Sequence, residues 1–172
     1  MGTDKVDIDS IELMIYYKGE HYTFADYIVS SHFIPRTNIF ETIAKFPFGI
    51  VKTSYIPSMI DKKIFYIINN YKIKKGEVLE FLYLFNMSEK NGIIEYQKTK
   101  DCYRYNENIY IKNLKNFMSG YIISESDLEV GKIKKIEGTT IKYRGQKIVM
   151  SSKIRLMDKE KSDIVQIKYG KE

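Results

Sequence analysis

The feature that most narrows the fold is a set of short segments in the second half of the chain whose residues alternate between apolar and polar. A period of two puts one class of side chain on each face of a pleated strand. Residues 108–112, 120–123, 130–136, 139–143, 147–150 and 164–169 carry the pattern. Two connections, Glu137-Gly138-Thr139 and Arg144-Gly145-Gln146, are short and contain glycine, as hairpins require. Short strands at this spacing predict a small antiparallel sheet or barrel over residues 100–170.

The first half opens the same way and then changes. Ile11, Leu13, Ile15 and Tyr17 alternate with Glu12, Met14, Tyr16 and Lys18, and Lys18-Gly19-Glu20 turns the chain into His21-Tyr22-Thr23-Phe24. This predicts a hairpin. From Asp26 the spacing becomes helical: Tyr27, Ile28 and Phe33 gather before Ile34-Pro35, and Thr37 can cap a short helix bearing Ile39, Phe40 and Ile43. A strand over residues 54–56 ends at Pro57. Ser58 and Asp61 then resemble a helix start, followed by Ile60, Ile64, Ile67, Ile68 and Tyr71 at three- and four-residue steps. After Lys74-Lys75-Gly76, the stretch 78–87 is apolar on almost every side, which predicts a helix buried all round or shared with a partner.

The expected class is therefore α+β. An α/β module over residues 8–90 precedes a basic β-rich module over 100–170. With 44% apolar and 14% aromatic residues the chain can fill a core, which excludes generic disorder. No run approaches the roughly 18–20 apolar residues of a membrane-spanning helix, and residues 1–10 lack the apolar stretch of a secretory signal, so no membrane association is expected. The single cysteine, Cys102, cannot form a disulfide within the chain, and a reducing compartment, cytoplasm or nucleus, is the natural expectation.

Charge is unevenly placed. Residues 1–99 balance 12 basic against 12 acidic side chains, whereas 100–172 carry 16 against 10, so the whole net charge of +6 lies in the second half. Lysine outnumbers arginine 24 to 4, a skew typical of an A/T-rich genome, and lysine number alone is weak support for polyanion binding. The position of these residues says more. With Tyr103, Tyr105, Tyr110, Phe117, Tyr121, Tyr143 and Tyr169 nearby, a strip of Lys132, Lys134, Lys142 and Arg144 across a hairpin could track phosphates while aromatics stack bases. A small nucleic-acid-binding or ribonucleoprotein-associated protein is the competing reading.

Signals for catalysis are sparse. His21 and His32 have no companions at metal-ligand spacing, Cys102 has no sequence-adjacent base, and no phosphate-cradling glycine loop occurs. The expectation is a non-enzymatic protein without catalytic, metal or cofactor-binding residues.

A resemblance points to interaction instead. Residues 11–24, then Ile28-Val29-Ser30-Ser31-His32-Phe33 with Ile39-Phe40-Glu41, then Ser54-Tyr55-Ile56, residues 64–71 and 77–87, follow the order hairpin, helix pair, strand, helix, buried helix. That order resembles the BTB/POZ superfamily, which includes Skp, elongin C and the potassium-channel tetramerisation domain. Phe24-Ala25-Asp26-Tyr27 replaces the family's usual His- or Arg-rich segment, and no cullin-binding signature follows position 90. The resemblance implies an adaptor or self-associating protein, with a ubiquitin-ligase-type scaffold role as its further implication. The contact is expected near the two later helices, through Phe65, Ile68, Phe81 and Phe85.

Overall fold

The computed structural model describes residues 7–73, 78–88, 94–98, 103–105, 109–115, 118–123, 134–135, 140–143, 147–155 and 162–169. They form strands joined by turns, with a single 3-10 turn at Phe24–Asp26. In chain order the strands are β1 (Asp7–Tyr17), β2 (Glu20–Thr23), β3 (Ile28–Phe33), β4 (Phe40–Phe46), β5 (Gly49–Pro57), β6 (Ile64–Ile73), β7 (Val78–Ser88), β8 (Ile94–Lys98), β9 (Tyr103–Tyr105), β10 (Ile109–Asn113), β11 (Met118–Ile123), β12 (Lys134–Lys135), β13 (Thr140–Tyr143), β14 (Lys147–Arg155) and β15 (Ser162–Tyr169). Two antiparallel sheets result: a six-stranded one ordered β12-β11-β14-β7-β1-β2 and a nine-stranded one ordered β13-β8-β9-β10-β15-β6-β5-β4-β3.

The α+β expectation is overturned. Residues 28–33, 40–46, 64–73 and 78–88, which the spacing assigns wholly or largely to helices, are strands β3, β4, β6 and β7. The BTB/POZ-like module needs helices in these places, so the fold implied by that resemblance is corrected with them. The physical reason is clearest in β7. Leu79, Phe81, Tyr83 and Phe85 point into the core, while Leu82 and Leu84, on the other face, are also buried. A strand covered on both sides has no polar face and no visible period of two, and at 11 residues it is long enough to pass for a helix. In β6 the sequence IFYIINNYKI is rich in β-branched and aromatic residues, a composition that suits a pleated surface.

The hydroxyl and carboxylate groups read as helix caps serve in turns. Thr37 Oγ1 donates to the Ile34 carbonyl at 2.8 Å and accepts the Ile39 amide at 3.1 Å, closing the β3–β4 connection. Ser58 Oγ accepts the amides of Ile60 and Asp61, each at 3.2 Å, and the Asp61 carboxylate accepts the Lys63 amide at 2.9 Å. Side chains of this kind bind nearby backbone with or without a helix behind them.

The opening hairpin forms as the sequence predicts. Tyr17 faces Glu20 across a two-residue turn in which Lys18 and Gly19 both have positive φ, 49° and 83°, the mirror-image turn that matches strand twist. Segments in the second half are also strands; the two glycine-containing connections lie outside the described residues, and the strands that flank them do not pair with one another. β12 pairs with β11 in the six-stranded sheet, β13 with β8 in the nine-stranded sheet, and β14 returns to β7. The stretches 8–90 and 100–170 each supply strands to both sheets.

One apolar core joins the sheets. Leu13, Ile15 and Tyr17 of β1 and the inward residues of β7 pack with Ala44, Phe46, Val51, Ile67, Ile109, Ile111, Val165 and Ile167 of the other sheet. Aromatic rings bridge the layers: Phe24 and Tyr71 lie 6.5 and 5.7 Å from Phe81, and Tyr17 stacks on Phe48 at 4.3 Å.

Candidate functional site

A polar row crosses the inner face of the nine-stranded sheet. Ser31, Thr42, Thr53, Asn69 and Asp163 are successive cross-strand partners on β3, β4, β5, β6 and β15. Directly opposed residues share a face, so the five form a line between two apolar rows, Phe33-Phe40-Tyr55-Ile67-Val165 and Ile28-Ala44-Val51-Tyr71.

The two ends of the line differ. At the buried end, Thr53 donates to Asn69 Oδ1 at 2.6 Å and Asn69 Nδ2 donates to the Tyr83 hydroxyl at 2.8 Å. Tyr83, from the facing sheet, donates in turn to the Asp163 carboxylate, which also accepts Asn113 Nδ2 at 2.6 Å. Burial, followed by the charge and hydrogen bond of Asp163, holds the Tyr83 phenol well above its ordinary range, with Asn69 pulling weakly the other way. The hydroxyl therefore stays protonated and works as a permanent donor that ties one sheet to the other. Completely buried, this group cannot meet a ligand from solution.

At the other end Thr42 and Ser31 open into a cleft of about 720 Å³ between β1, the 3-10 turn, and strands β3 to β5. Its walls are mostly apolar and aromatic, including Ile11, Leu13, Phe24, Phe40 and Tyr55, with Ser31, Thr42 and one acidic residue, Glu12, set among them. Among the described residues no lysine or arginine lines it. Burial raises the Tyr55 phenol, so that group too is neutral. A cleft of this size and polarity suits an apolar side chain or small neutral molecule rather than a phosphate or carboxylate.

Beside the cleft, β3 forms one end of the nine-stranded sheet, with β4 as its neighbour. Its sequence IVSSHF has no lysine, arginine, acidic residue or proline, the usual protections of a sheet edge. Val29 and Phe33 are 65% and 63% exposed. Phe33 continues an aromatic series through Phe40 at 5.0 Å to Tyr55 at 6.1 Å. The Ile34 amide donates to the Ile39 carbonyl at 2.9 Å, and alternation from that bond turns the N–H and C=O groups of Ser31 and Phe33 away from β4. Among the described residues, no strand covers that side.

The outer face of the same edge carries Ser30, His32, Glu41 and Lys52. Ser30 Oγ is 3.4 Å from His32 Nδ1, His32 Nε2 is 3.8 Å from Glu41, and Lys52 is 3.9 Å from the same carboxylate. The order of groups suits nucleophile activation, but the contacts are long and none of the four lines the cleft. His21 lies against Tyr16 at 4.9 Å on the β1–β2 hairpin. Among the described residues no cluster of three or more His, Cys, Asp or Glu side chains could hold a metal ion, and no helix is long and apolar enough to cross a membrane.

The expected contact residues are not brought together on a surface. Phe81 and Phe85, 1% and 0% exposed, are core side chains, so the docking surface expected of them is corrected. Phe65 packs against the core beside Tyr169, ring centroids 6.0 Å apart, and Ile68 is half-buried. Lys132 and Arg144 lie outside the described residues. Lys134 and Lys142 sit on strands of different sheets, so the described residues do not align them across a hairpin. The polar row and the β3 edge had weak signals: Asn69 and Asp163 are polar residues set in apolar strands, and 28–33 is a β-branched and aromatic stretch ending before a proline.

The chain matches no protein-family model, and no curated protein matches its sequence.

Proposed function

We propose that this protein is a non-enzymatic interaction component that takes a protein partner by strand addition along β3. The observation that carries the reading is a strand that no second neighbour covers among the described residues, with backbone groups turned outward, two largely exposed apolar side chains and no charged residue to discourage pairing. Main-chain hydrogen bonds would supply affinity, and the adjoining cleft would take an apolar side chain of the incoming strand, the usual division of labour in strand addition.

The test compares what the full chain captures from a cell extract with and without Val29→Lys. A partner held by the unaltered protein and lost by the variant is expected. His21→Lys, on the opposite edge strand β2, should leave capture unchanged. Identical capture by all three proteins would refute the assignment to β3.

A further inference from the structure

The same edge is complementary to itself, and we infer that its partner is a second copy of this chain, joined through antiparallel β3–β3 pairing centred on Ser31. The inference rests on the strand-addition reading and names its occupant. A two-fold axis at Ser31 sets each residue against the one whose number completes 62. Ser31 then faces Ser31 of the second copy, Phe33 faces Val29, and His32 faces Ser30.

Three observations support this register. First, Ser31 and Phe33 turn their amide and carbonyl groups outward, so the Ser31–Ser31 pair falls where strands exchange hydrogen bonds and the Phe33 groups face the second copy. Second, the two most exposed apolar side chains of the strand meet each other twice across the axis, and such pairs stabilise antiparallel strands. The register shift between Ile28 and Ser30 leaves Val29 as the extra residue of a bulge, without a cross-strand partner on β4. Third, the ends carry opposite charge. Asp26 lies in the 3-10 turn before the strand and Arg36 in the turn after it, both are exposed, and antiparallel pairing brings the acidic flank of one copy toward the basic flank of the other.

Isologous contacts of this kind close on themselves and stop at two copies. The nine-stranded sheet would continue through the axis into its twin, and the unprotected edge would disappear. β2 offers no such match, being four residues long with Glu20 and His21 at its start.

Sedimentation velocity on the full chain over a wide concentration range is the first measurement, and a monomer–dimer equilibrium is expected. Val29→Lys with Phe33→Lys should weaken it by about tenfold or more, since two apolar pairs are lost and like charges replace them. Asp26→Arg and Arg36→Asp should each weaken it, and the two reversals combined should restore it. In a Cys102→Ser background, Ser31→Cys should give a covalent dimer with oxidised glutathione, because hydrogen-bonded partners lie at a separation a disulfide spans. A strictly monomeric chain with no Ser31→Cys cross-link overturns self-pairing, and the Val29→Lys capture experiment then decides separately whether β3 serves another protein. A dimer insensitive to both lysine substitutions and to charge reversal overturns it as well.

Discussion

The centre of the sandwich and its β3 edge are built from similar residues put to opposite use. β7 has strands on both sides, β1 and β14, and buried side chains on both faces. β3 has β4 as its neighbour and leaves its apolar side chains largely in water. Both are Val-, Ile-, Leu- or Phe-bearing stretches that look helical in spacing. Hydrophobicity alone therefore does not say whether a strand serves stability or recognition. Position in the sheet order does.

The largest expected effect breaks the central side of this contrast. Phe81→Ala removes a buried ring touching Phe24 and Tyr71 and should cost about 3–5 kcal/mol in denaturant unfolding. The equivalent truncation at the edge, Phe33→Ala, should stay within about 0.5 kcal/mol for the isolated monomer because the side chain is mostly exposed. Equal losses would mean that the edge is covered in solution by more than a weak contact.

A smaller effect concerns the buried hydroxyl. Tyr83→Phe leaves Asp163 and Asn69 without it and should cost about 1–3 kcal/mol. The same residue sets an alkaline limit. Its phenol is raised well above 10.0 in the folded protein and ionises near that value when unfolded, so the folded state retains a proton that the unfolded state gives up. Its contribution is whole below about pH 10 and is lost as pH rises toward the folded value. Unfolding followed between about pH 8 and pH 10.5 should show a steeper fall for the unaltered protein than for Tyr83→Phe.

The smallest effect lies at the turn leading to the other edge. Lys18 holds a left-handed conformation that Asn tolerates better, so Lys18→Asn should raise stability by about 0.5 kcal/mol without touching either sheet interior. No change in thermal midpoint would indicate that the lysine's contact over the Tyr17 ring, 5.5 Å from its centroid, offsets the backbone strain.

Legibility in the sequence followed the same division. Strands with one wet face, such as β1 with Ile11, Leu13 and Ile15 against Glu12 and Met14, announced themselves by alternation, as did most of the second half. β7 did not, because Leu82 and Leu84 are covered as fully as Phe81 and Phe85 and erase the period. β3 was hidden for another reason: its bulge interrupts alternation at Val29, and the proline beyond it resembles a helix stop. Of the polar row only Asn69 and Asp163, polar residues in apolar strands, left a trace, since Thr42, Thr53, Asn69 and Asp163 become neighbours through pairings that local pattern does not encode.

The interleaved order of strands also has a consequence during synthesis. β6 finds its far-side neighbour when Ile164 comes to lie against Ile68, and β7 waits for β14, where Val149 meets Leu84. A nascent chain that has emerged only as far as Ser88 therefore holds two long apolar strands, each lacking a flank. Pairings between such distant residues form slowly, because most of the chain must be gathered before any of them is rewarded. Until the last strand leaves the ribosome, β6 and β7 are open to the wrong neighbours, so slow translation or C-terminal truncation should lower soluble yield more than any single surface substitution.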